Sequence, residues 1–138
     1  MSSSMSFREK SAWAMMAVML LSGLYYFNAV AADPGAPVTV ALVPYVLLVV
    51  VASVLVQVML AIATPREANS GADERERLVA DRAGRWSGTV LAVGVVLAGG
   101  AYLLIPNGNM LFHHAMFALI AAQLADYAAQ VYLLRRMV

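Results

Sequence analysis

Few side chains in this sequence are equipped for chemistry, and the most telling is Asp126, a carboxylate inside a long apolar stretch. Gln123, Asp126, Tyr127 and Gln130 stand at i, i+3, i+4 and i+7, so on a helix they form one polar stripe. If that helix crosses a bilayer, Asp126 lies about 12 Å inside one end at a rise of about 1.5 Å per residue. A carboxylate at that depth is costly unless it is paired, protonated or hydrated. Two chemistries suit such a group: hydrogen-bonding glue between helices, or a site for a proton, a cation or a cationic solute. Gln57, in another apolar stretch, is the candidate to meet the stripe.

The remaining candidates are weaker. His113 and His114 are adjacent, beside Asn109 and Met110. Neighbouring helical residues diverge by about 100°, so the two imidazoles do not readily share one metal ion. Met110 and His114 at i, i+4 make half of a soft-metal site, with no second pair to complete it. Hydrogen bonding near the membrane surface is the simpler role for both histidines. The absence of cysteine excludes disulfides, thiolate nucleophiles and zinc–thiolate sites. No Gly-rich phosphate loop, HExxH pair or nucleophile elbow is present. The expectation is a non-enzymatic protein with no cofactor and no metal. A formal net charge of +1 gives no reason to expect a nucleic-acid partner.

The elements that must position these groups follow from composition. Apolar residues make up 62% of the 138 and charged residues 12%, against about 45–50% and about 25% in soluble domains. Mean hydropathy is +0.77. Residues 11–32, 38–63, 86–105 and 110–134 are each long enough to span a hydrocarbon core. Lipid offers backbone groups no hydrogen-bond partner, so the spans must be helical. The fold expected is an all-α, membrane-embedded four-helix bundle of two hairpins, a single domain over 1–138. Asp33-Pro34-Gly35-Ala36-Pro37 breaks the first pair and Pro106-Asn107-Gly108-Asn109 the last.

All nine Lys and Arg residues fall before the first span, between the second and third, or after the fourth. The positive-inside rule then places both termini and the 64–85 loop in the cytoplasm. A rival reading takes Arg8, Lys10 and the Ala29-Val30-Ala31 region as a signal peptide with a cleavage site. The full spanning length and the anchor-like Trp13, Tyr25, Tyr26 and Phe27 favour a retained span. Trp13, Trp86, Tyr25, Tyr26 and Tyr102 are expected in the aromatic belts at the membrane surfaces.

Asp73, Arg77, Asp81 and Arg85 alternate in sign every four residues. That ladder of i, i+4 pairs predicts that the third helix begins near Asp73 and extends into the cytoplasm, as a solvated rod or a contact for a partner. Gly84, Gly88 and Ala92 at four-residue spacing, with Gly94, Gly99 and Gly100 further along, allow close helix approach, within the bundle or between copies. The two hairpins share a layout that duplication would produce, as would any two hairpins of this orientation.

Three segments carry a resemblance: FREKSAW at 7–13, DERERL at 73–78 and QLADYAAQVYLLRR at 123–136. Together they resemble a family of small, uncharacterised four-helix bacterial inner-membrane proteins. Glu9, Lys10, Trp13, Asp73, Glu74, Arg75, Asp126, Gln130, Arg135 and Arg136 match its pattern. Leu134 stands where that family usually has Tyr, and Met137-Val138 where a Gly often follows. The resemblance implies four retained spans and supplies no activity. The functional expectation is an oligomer or accessory subunit in the lipid bilayer, working through helix–helix and cytoplasmic contacts. Its alternative is a small oligomeric transporter or channel using Asp126, although the small-multidrug-transporter plan puts its carboxylate in the first helix.

Overall fold

The structure, a computed structural model, describes residues 7–63, 65 and 74–136. They form four helices: α1 (Phe7–Ala32), α2 (Val38–Ala63), α3 (Glu74–Leu104) and α4 (Gly108–Arg136). Each is long and apolar enough to cross a membrane, so this is a multi-pass membrane protein built as an all-α four-helix bundle.

The ends of the helices follow from local chemistry. Pro37 immediately precedes α2, where its missing N–H removes no helical bond. Asn107 caps α4: its Oδ1 accepts from the Met110 N–H at 3.3 Å, and its carbonyl accepts from the Leu111 N–H at 3.0 Å. Asn109 Nδ2 donates to the Ala36 carbonyl at 3.1 Å, tying the two turns together. Glu74 and Glu76 occupy the first turn of α3, and Arg135 and Arg136 the last turn of α4, the favourable signs for each helix dipole.

The two central helices are α1 and α4; α2 flanks α1 and α3 flanks α4. The apolar span of α2 buries almost nothing against the protein and faces outward. By contrast α3 lies close on α4. A Cβ built on Gly94 would fall 2.6 Å from Ala118 Cβ, and the Ser87 hydroxyl donates to the Ala122 carbonyl at 2.8 Å. Ala83 and Ala98 are buried on one side of this seam and Ala118, Ala122 and Ala129 on the other. Small residues let backbones approach closely enough for dispersion to hold helices together in lipid.

This seam includes Gly94 from the expected small residues but corrects the intramolecular reading of Gly84, Gly88 and Ala92. Gly84, Gly88 and Ala92 are exposed, and a Cβ at either glycine would meet nothing within 4 Å. The contact instead uses Ala83, Ser87, Gly94 and Ala98. A helix turns about 100° per residue, so a one-residue offset carries the expected stripe off the seam.

One end of the bundle collects charge. Glu9 Oε2 accepts from Arg135 Nε at 2.8 Å, joining the start of α1 to the end of α4. Val79 packs there with Leu133 and Leu134, which places the charged start of α3 at the same end. The two turns form the opposite end.

Candidate functional site: two polar clusters on the last helix

The polar stripe exists as a face of α4 in partial contact with its neighbours. Asp126 is half-buried, and its Oδ1 accepts from Gln130 Nε2 at 3.1 Å, one helical turn along. Tyr127 and Gln130 are half-buried and Gln123 is exposed. A carboxylate has about four lone-pair sites, so this bond leaves room for a proton, a cation or another donor. Gln57 does not join them. Its Nε2 donates to Ser11 Oγ on α1 at 2.9 Å, because α1 stands between α2 and α4 toward the charged end.

Gln130 links the stripe to a cavity of about 110 Å³ at the charged end, lined also by Arg8, Glu76, Arg77, Val79, Ala80 and Leu134. Three helices therefore contribute to one recess. Its surroundings carry an aromatic fringe. Arg135 lies 6.0 Å from the Trp13 ring and Arg136 5.6 Å from the Tyr132 ring, and Trp86 and Tyr132 lie 6.3 Å apart. Both tryptophans and Tyr132 are exposed, as a belt at a membrane surface requires.

A second cluster, nearer the turns, was not expected. Tyr26 is 0% exposed and His113 2%, and the Tyr26 hydroxyl is 2.6 Å from His113 Nδ1. In the Nε2–H tautomer of His113 the tyrosine is the donor. Tyr45 and Phe117 set their rings edge-on to Tyr26 at 5.2 and 5.4 Å. Ser22, buried one turn before Tyr26 on α1, donates its hydroxyl to the Val18 carbonyl at 2.7 Å. Val30, Ala41 and Ile120 complete the surrounding core.

Tyr26 is thus no belt residue, and His113 is no surface group; both lie in the packed centre of α1, α2 and α4. Depth could have signalled this. Tyr26, Tyr45 and His113 each stand five to seven residues from the turn end of their helices, so they share one level. Tyr25 and Tyr102 do face outward.

Of the expected contact residues on the third helix, Asp73 lies outside the described residues. Arg77, Asp81 and Arg85 are exposed and share a face with Gly84, Gly88 and Ala92. His114 borders an open groove of about 350 Å³ between α3 and α4, and its Nδ1 is buried without a partner among the described residues. Also among the described residues, no three or more of His, Asp and Glu gather where they would hold a metal ion.

The chain matches no protein-family model, no curated protein and no solved structure.

Proposed function

We propose that this is a non-enzymatic protein of the bacterial inner membrane, with both termini cytoplasmic, acting through helix contacts as an oligomer or as an accessory subunit of a membrane complex. The observation that carries the reading is the outer face of α3. There Gly84 and Gly88 open onto empty space on either side of the edge of the apolar span, among Arg77, Asp81 and Arg85 on the same face. Small residues turned away from the protein's own seam offer close approach to another helix, and the alternating charges would set its register. The cytoplasmic placement rests on the positive-inside rule, since the described cations collect at one end.

The test is recovery of the protein from its native membrane with whatever accompanies it stoichiometrically. Bulky substitution of the face, Gly84→Ile with Gly88→Ile, is expected to abolish that association, and so is the double reversal Arg77→Glu with Asp81→Arg. Unchanged recovery in both variants would reject the α3 face as the contact. The open lone pairs of Asp126 favour a second reading, a small oligomeric transporter or channel for a proton or cation.

A further inference from the structure

The recess lined by Arg8, Arg77, Glu76 and Gln130 shares Arg77 with the proposed helix contact and Gln130 with the stripe, but its two guanidiniums make it a site of different chemistry. We propose that it binds the headgroup of one anionic phospholipid, with the phosphodiester held between Arg8 and Arg77.

Four observations converge on that ligand. First, the two guanidiniums come from different helices, α1 and α3, and meet at one cavity. Guanidinium forks match phosphate oxygens in shape and charge better than any other side chain. Second, with Glu76 on the wall the recess carries a single net positive charge, which complements a phosphodiester. A dianionic phosphomonoester would meet the Glu76 carboxylate as well as the arginines. Third, the cavity of about 110 Å³ has room for a phosphate and some water, and its apolar wall of Val79 and Leu134 suits the glycerol and the first acyl carbons.

The fourth observation is depth. Trp13 and Tyr132 mark the aromatic fringe at this end. Arg8 roots five residues before Trp13, about 7 Å beyond the fringe at a rise of about 1.5 Å per residue. The headgroup layer on each side of a bilayer is about 5–7 Å thick, so Arg8 stands where lipid phosphates lie.

The test uses the full chain in detergent, with native mass spectrometry of the protein titrated with dioleoyl-phosphatidylglycerol, dioleoyl-phosphatidylethanolamine or inorganic phosphate. One phosphatidylglycerol is expected per chain, in preference to the other two probes. Arg8→Gln with Arg77→Gln should weaken it by about 25-fold, about fivefold for each arginine removed. Arg82→Gln with Arg85→Gln removes the same charge from α3 outside the recess and is expected to leave binding unchanged. All four side chains are exposed, so both variants should retain their helical circular dichroism. An equal loss in the two variants would reduce the effect to general surface charge and overturn the site. Equal binding of phosphatidylethanolamine or of inorganic phosphate would overturn its assignment to an anionic lipid. Either result is independent of whether a protein partner is recovered.

Discussion

The two polar clusters on α4 sit on one helix yet are built on opposite plans. Near the turns, His113 finds Tyr26 on another helix, and aromatic rings from α2 and α4 close around the bond. Toward the charged end, Asp126 finds its partner one turn along its own helix, in Gln130, and the pair stays half-open. A polar group in lipid holds a fold together when its partner is on a different helix. When the partner is local, the same group adds little to the tertiary fold and keeps capacity for something else.

That contrast can be broken most sharply at Tyr26. Tyr26→Ala should cost about 3–5 kcal/mol of stability, the usual range for truncating a buried aromatic side chain. Tyr26→Phe keeps the ring and should cost about 1 kcal/mol, typical of hydrogen bonds between membrane helices. Unfolding in mixed micelles with increasing SDS measures both. Equal losses would make the bond to His113, rather than the packing, the chief contribution. Next in size is the seam that brings α3 onto α4. Gly94→Ala must displace Ala118 and is expected to cost about 1–3 kcal/mol, as overpacking does. Gly84→Ala meets open space and should move the same curve slightly the other way, by up to about 1 kcal/mol, because Ala favours the helix over Gly. An equal loss at the two positions would remove contact with Ala118 as the cause.

The smallest structural effect is expected at the stripe. Asp126→Asn retains an oxygen for Gln130 and should change stability by less than about 0.5 kcal/mol, the scale of substitutions away from fixed packing. If the carboxylate carries protons or cations, the same change removes pH-dependent flux in liposomes while assembly persists. Flux that survives the substitution rejects Asp126 as the ion site.

The number and extent of the helices were legible because length and apolarity are what a bilayer demands. The expected 38–63 span coincides with α2, and the residues of the charge ladder that are described, Arg77, Asp81 and Arg85, lie on α3 as expected. The inward faces were much harder to read. In water, an apolar stripe marks the buried side of a helix; in lipid, both sides of α2 or α3 are apolar and that signal vanishes. Gly84, Gly88 and Ala92 looked like a seam on spacing alone, although Gly94 and Ala98 have the same chemistry and make the contact. Asp126 and Gln130 could be paired from their i, i+4 spacing, whereas Tyr26 and His113 are 87 residues apart and nothing local couples them. Arg8 and Arg77 were likewise legible only as cations on one side of the membrane, not as two walls of one recess.

The pairing of the first helix with the last also has a consequence for biosynthesis. The helix that supplies Tyr26 with its hydrogen-bond acceptor is synthesised well after the α1–α2 hairpin. With Tyr26 and His113 87 positions apart in the chain, translation at about 5–20 residues per second separates their arrival by about 4–17 s. During that interval the α1–α2 hairpin resides in the membrane with the Tyr26 hydroxyl waiting, and the ring of Tyr45 is the neighbour already at hand. Completion of the core is therefore a late event. It is fixed by chain order, and it leaves a time window in which an insertion factor could hold the unfinished hairpin.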